Sequence, residues 1–181
     1  MSQQEWKRVP GDNPSPFKRS DLPVDNVSWY AANEFCKKSG LVLPTEAQWE
    51  YACRAGSDAS FAFGANIAPD QVNCAPAHDE KQDNRRRGTV PVDAMQPNDF
   101  GLHGTHGNVW EWCDDVYDRG FYFRPEATQT NPVCREGSRF RVLRGGGWKS
   151  RPSACRSAMR VRDLPWNKGG DVGFRPAKVF R

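Results

Sequence analysis

Arg141-Val-Leu-Arg-Gly-Gly-Gly-Trp148 and, further along, Gly173-Phe-Arg175 are the stretches whose reading decides the fold. They form a glycine-arginine-aromatic frame. The residues enclosed, 149–172, run through Arg151, Pro152, Met159, Leu164, Trp166 and Gly169-Gly170 with neither a helical nor a strand repeat. A fixed frame around an irregular insert reads as a scaffold presenting a surface, because binding residues sit disproportionately on loops held by rigid elements. Function is therefore sought in the insert and stability in the frame.

Outward from the frame, the 181 residues and 20.4 kDa fit a single domain over 1–181 that can bury a core without covalent staples. A hydrophobic content of 37% and mean hydropathy of −0.81 are low. Seven Trp and ten Phe compensate with large buried area per residue, so an aromatic-rich core is expected. The net charge of +4 is modest, and basic residues cluster only at Arg85-Arg86-Arg87 and around Arg135 to Arg162. That pattern is a solvated face rather than a nucleic-acid footprint.

Six cysteines would suggest three disulfides in a small secreted protein, but no signal peptide is recognised and the chain does not need staples. Reduced, packed thiols are expected, with Cys36 and Cys53 on the core faces of two helices. No C-x-x-C pair occurs, which excludes a zinc ribbon, and no apolar run is long enough to cross a bilayer. Location is left between cytoplasmic and displayed through a partner.

Residues 1–27, with five prolines or glycines, read as an extended, weakly structured lead-in. Ser28 caps a helix whose face carries Trp29, Ala32, Phe35 and Cys36 and which stops at Gly40. Thr45-Glu-Ala-Gln48 is a capping box for a second helix with Trp49, Ala52 and Cys53 inward and Gly56 at its end. No other convincing helix is predicted. From Phe61 onward, short strands are expected at Thr89-Val-Pro-Val92, Val109-Trp-Glu-Trp112 and Phe140-Arg-Val-Leu143, joined by long ordered loops.

Six motifs stand in order: Asn26-Val-Ser-Trp29, Leu43-Pro-Thr-Glu-Ala-Gln-Trp-Glu-Tyr-Ala-Cys-Arg-Ala-Gly56, Gly107-Asn-Val-Trp-Glu-Trp112, Val142-Leu-Arg-Gly-Gly-Gly-Trp148, Cys155-Arg-Ser-Ala158 and Gly173-Phe-Arg175. Together they resemble the sulfatase-modifying-factor family over roughly residues 20–177. The resemblance implies an α+β, C-type lectin-like fold, and a further strand region ordinarily precedes the stretch matching Trp6 to Phe17. Formylglycine-generating oxidases of that family hold copper between two cysteines, and the matching positions here are Ser150 and Cys155. A hydroxyl does not replace a soft thiolate for Cu(I), so no copper is expected, and Cys155 reads as a buried thiol beside Arg156.

The variable proteins of diversity-generating retroelements resemble this chain too. They place a hypervariable segment inside such a frame, which here would be 149–172. The ligand-binding positions implied are Ser150, Arg151, Ser153, Ala154, Met159, Val161, Asp163, Leu164, Trp166, Gly169 and Asp171. Variation in such proteins arises at template adenines. An AAC codon changed at its first two bases gives every residue of that set except Met159 and Trp166, which need another codon or are invariant.

Proteins of this kind bind calcium with loop oxygens, the hard ligands Ca²⁺ prefers. The resemblance implies one structural site from the Asn73 side chain, the Cys74 carbonyl, Asn84 and the Arg86 carbonyl. A second would use Glu111 with backbone oxygens of Gly107 and Val109, although Gly104 stands where an Asn or Asp is expected. The same groups would serve equally as partners for loop backbone.

His78, His103 and His106 are read as turn residues, because Gly101, Gly104 and Gly107 argue against the helix an i, i+3 metal pair needs. Ser150, His106 and Asp114 could be assembled into a triad only on paper, as no Gly-x-Ser-x-Gly elbow is present. Trp110, Trp112, Trp148 and Phe174 are expected in the core rather than as a sugar platform. Three functions are left: a non-catalytic, monomeric binder of a macromolecular ligand, a protein, through 149–172; a formylglycine-generating-type metal-dependent oxidase; or a regulatory domain of the same fold.

Overall fold

Ser2 and Glu5 close a capping box around a single turn of helix, α1 (Gln3–Trp6), in the computed structural model, which describes residues 1–9, 11–75 and 88–179. The lead-in is therefore docked, not extended and weakly structured as its prolines and glycines suggest. Gln3 is buried, with Nε2 donating to the Phe17 carbonyl at 2.7 Å and the Pro23 carbonyl at 3.1 Å. Trp6 stacks on Phe35 at 5.0 Å. One turn carries too few apolar positions to register as a periodic signal.

The two predicted helices are present. The Ser28 hydroxyl accepts from the Ala31 amide to open α2 (Trp29–Lys38), which buries Trp29, Ala32, Phe35 and Cys36. The Thr45–Gln48 capping box opens α3 (Glu46–Arg54), which buries Trp49 and Cys53 and, unexpectedly, Glu46.

Four strands form one sheet in the order β3-β2-β1-β4: β1 (Trp110–Val116), β2 (Arg141–Arg144), β3 (Val161–Asp163) and β4 (Val172–Phe174). β1 pairs antiparallel with β2, placing Glu111 opposite Arg144, and parallel with β4, placing Glu111 opposite Gly173. β3 pairs antiparallel with β2, Val161 opposite Leu143. The enclosed segment thus contains an edge strand that its sequence conceals, because three residues cannot display a period of two.

Residues 89–92 form no strand. Pro91 lacks an amide hydrogen, and the Asn108 side chain takes the Val90 backbone instead, accepting from its amide at 3.0 Å and donating to its carbonyl at 3.1 Å. Trp112, Phe174, Phe35, Trp29 and Val24 form the main core, each buried aromatic or Val side chain contributing about 1.5–3 kcal/mol. This is the mixed, loop-rich C-type lectin-like architecture that the motifs imply.

Candidate functional site

Both edges of the frame sit where a side chain would not fit. Gly146 has φ +84°, and a Cβ there would lie 2.5 Å from the Cys155 sulfur; a Cβ on Gly173 would lie 2.5 Å from the Val24 carbonyl. The first contact seats the enclosed segment on the end of β2, and the second seats β4 on the N-terminal chain.

Arg144, buried at the end of β2, holds the segment from beneath. Its guanidinium donates to Glu46 Oε1 at 2.6 Å, to the Glu50 carboxylate and to the Ser157 carbonyl at 2.5 Å. Arg160, from within the segment, reaches the same Glu46 at 2.6 and 2.7 Å and lies over the rings of Tyr117 and Tyr122 at 5.1 and 4.8 Å. Burial works against the Arg144 charge, but Glu46 and Glu50 outweigh it and hold its pKa above the usual guanidinium value. One buried glutamate therefore ties α3, β2 and the segment together.

None of the eleven positions assigned to the ligand surface is buried. Arg151, Ser153 and Trp166 are exposed, Trp166 with 54% of its surface in solvent, and the other eight are half-buried. Several of the eight also shape the segment. Ser150 Oγ accepts from the Gly147 amide at 3.0 Å, and its carbonyl accepts from Ala75 at 2.8 Å. Asp163 Oδ1 accepts from the Leu164 amide and from Asn167 at 2.7 Å. Val161 packs on the main core. The carbonyls of Asp171 and Gly169 accept from Trp110 and Asn26 at 2.7 and 2.9 Å. Ala154 donates to the Arg151 carbonyl and Met159 to the Arg156 carbonyl in successive turns. Between these positions Cys155 and Ser157 are completely buried.

Of the residues assigned to calcium, Asn84 and Arg86 lie outside the described residues, as does His78. Asn73 is buried; its Nδ2 donates to the Gly88 carbonyl at 3.0 Å and to Asn108 Oδ1 at 3.1 Å, while Oδ1 accepts nothing among the described residues. An orphaned amide oxygen beside the Cys74 backbone fits a hard cation. Glu111 is different. Its carboxylate accepts from Trp49 Nε1 at 2.7 Å and from Arg175 at 3.0 and 3.1 Å, so a resident cation already meets its charge. The Val109 side chain is buried, and the Gly107 amide donates to the Gly145 carbonyl.

His103 and His106 are structural. His103 Nδ1 lies 2.7 Å from the Met95 carbonyl, and buried His106 bridges the Cys155 carbonyl at 2.8 Å and the Ala62 amide at 3.0 Å, burial lowering its pKa. Trp112 and Phe174 are core residues; Trp110 and Trp148 are half-buried, and the Trp148 indole donates to the Gly170 carbonyl at 3.1 Å. All six cysteines are reduced. The sequence does not disclose that the Cys155 thiol meets a second thiol, Cys74, with which it is hydrogen-bonded. That contact and burial push the Cys155 pKa far up. Only the overall register of the chain, not local spacing, brings these two together.

The sheet, the helices and the Arg-Gly-Gly-Gly and Gly-Phe-Arg frame define a protein of the sulfatase-modifying-factor class. The chain belongs to the Sulfatase-modifying factor enzyme 1-like domain family, which matches residues 1–179. It is 36% identical over 183 residues to the Formylglycine-generating enzyme of Mus musculus, covering 95% of this chain and 48% of that one. It is 31% identical over 183 residues to the Inactive C-alpha-formylglycine-generating enzyme 2 of the same organism, covering 95% and 54%. The chain thus spans about half the length of these curated relatives. The solved structure of Treponema denticola variable protein 1 superposes with a TM-score of 0.82 at 25% identity, over 97% of this chain and 81% of that one. No helix among the described residues is long and apolar enough to cross a membrane.

Proposed function

We propose that this chain is a non-catalytic, monomeric binding protein that recognises a macromolecular ligand, a protein, through 149–172, with Arg151, Ser153, Ala154, Leu164 and Trp166 as its contact residues. One observation carries the reading: within a single segment, Cys155, Ser157 and Arg160 turn inward onto Gly146, Arg144 and Glu46 while Arg151, Ser153 and Trp166 turn to solvent. A base already ordered avoids the cost of ordering the loop on contact, leaving about 0.5–1.5 kcal/mol for each long side chain that is immobilised. Trp166 and Arg151, both exposed, are of the residue types that dominate binding energies. The likeness to a solved variable protein supports the reading.

Diversification of 149–172 is part of the proposal. Sequencing the flanking DNA tests it: a near-copy of codons 141–175 differing mainly at adenines, beside a reverse transcriptase gene, is expected, and its absence removes this part. Calcium would be held by Asn73 Oδ1 and the Cys74 carbonyl, where it would stiffen the loop that meets Ser150. Calorimetric titration is expected to give binding that Asn73→Ala abolishes.

A second reading, a metal-dependent oxidase, is favoured by the Cys74 thiol beside Cys155 and by 36% identity to an enzyme. Against it, Ser150 is engaged in its own turn. Copper reconstitution with a cysteine-containing sulfatase peptide separates the two. Neither stoichiometric Cu(I) nor peptide oxidation is expected, and finding both would establish the oxidase.

A further inference from the structure

Cys74 and Cys155 come from opposite ends of the loop region, yet their side chains are hydrogen-bonded and pack together against Phe61 and Val72. Backbone contacts on both sides fix the meeting. Asn73 bridges Gly107, the Ala75 amide donates to the Ser150 carbonyl at 2.8 Å, and the Cys155 carbonyl accepts from His106 at 2.8 Å. The other polar contacts of buried thiols are of another kind: Cys53 lies near the Thr105 carbonyl, His106 and Ser157, and Cys134 donates to the Glu136 carbonyl.

We propose that Cys74 and Cys155 are a redox-closable dithiol, which a small-molecule disulfide such as oxidised glutathione converts to an intramolecular disulfide bracing the base of the 149–172 segment. The half-buried Cys74 is the entry point, because Cys155 is sealed from solvent. The Cys74 sulfur attacks the small disulfide, forming a mixed disulfide and releasing one thiol. The Cys155 sulfur then attacks the Cys74 sulfur, the Cys74–glutathione bond breaks, and a second thiol leaves. The two protein thiols are oxidised, the small disulfide is reduced, and the two thiol protons end on the two departing thiols. Closure would tie residues 73–75 covalently to the turn that follows Gly146, so the exposed side chains at Arg151 and Ser153 would stand on a stiffer base. The proposal goes beyond the binding reading and does not depend on it.

The test is incubation of the full chain with oxidised glutathione, then thiol counting and peptide mapping by mass spectrometry. The number of alkylatable thiols under denaturing conditions is expected to fall from six to four, with a peptide linking Cys74 to Cys155 that has lost two hydrogens. In Cys74→Ser, which leaves the buried Cys155 in place, the linked species is expected to vanish while the remaining five thiols stay alkylatable. A glutathione adduct that persists on Cys74 with Cys155 still reduced, a link to another cysteine, or six unreacted thiols would each overturn it.

Discussion

The inward and outward faces of 149–172 teach more side by side than either does alone. Both belong to one short stretch of chain, yet Arg160 is clamped by a buried glutamate and two tyrosine rings while Trp166, a few residues on, is more than half in solvent. The difference lies in what each side chain meets. The inward residues continue the frame, completing hydrogen bonds that Arg144 and Glu46 could not satisfy without them. The outward residues give only their backbone to the segment, the Arg151 and Ser153 carbonyls accepting from Ala154 and Arg156, and turn their side chains to solvent.

The largest effects are expected from breaking the frame. Arg144→Ala leaves Glu46 with a reduced set of partners in a buried site and is expected to cost about 3–5 kcal/mol. Trp112→Ala is expected to cost a similar about 3–5 kcal/mol by opening the core. Chemical denaturation reads both directly. Trp148→Ala, at a half-buried position, is expected to cost less than Trp112→Ala.

Next in size is a titration at the other end of the frame. Asp25, whose backbone bridges Gly173, is fully buried, and burial with Asp171 nearby raises its pKa from 3.8 to about 6. Between those values the folded chain holds a proton that the unfolded chain releases, so stability falls as pH rises through the window and levels above about 6. Asp115 adds to the same slope, its pKa also raised to about 6 by burial. Asp25→Asn is expected to reduce the slope and to be more stable near pH 7.5, by up to about 3 kcal/mol. Denaturation midpoints across pH 4 to pH 8 check this, and an unchanged slope would place the raised carboxyl elsewhere.

Smaller effects sharpen the division within the segment. Asp163→Ala removes two accepted hydrogen bonds and is expected to cost about 1 kcal/mol. Arg151→Ala, Ser153→Ala and Trp166→Ala are each expected to stay within about 0.5 kcal/mol, as exposed substitutions do. Equal losses at Trp166 and Arg144 would erase the distinction.

What was legible in the sequence follows from range. The helices at Trp29–Lys38 and Glu46–Arg54 announce themselves through caps and apolar spacing, which act within a turn or two. The strands at Trp110 and Arg141 are recognisable from aromatic and β-branched clusters. The frame glycines are visible as residues, and the contacts that require them are not: Gly146 needs Cys155, and Gly173 needs Val24. The α1 turn and the β3 edge strand are too short for any periodicity. The Cys74–Cys155 meeting and the Glu46 clamp are products of the completed topology. The bounds of 149–172 could be read from the frame around it, but which side chains face inward could not, because an irregular backbone has no period from which to infer direction.

Residues 149–172 divide into those that hold the segment, Cys155, Ser157 and Arg160, and those that turn to solvent, Arg151, Ser153 and Trp166. A saturation-substitution scan of 149–172, read by resistance of the folded chain to protease, tests this division most directly. Nearly all substitutions are expected to be tolerated at Arg151, Ser153 and Trp166 and nearly none at Cys155, Ser157 and Arg160. A uniform loss of resistance across both sets would mean that the whole segment is structural, and the division drawn between its two faces would be wrong.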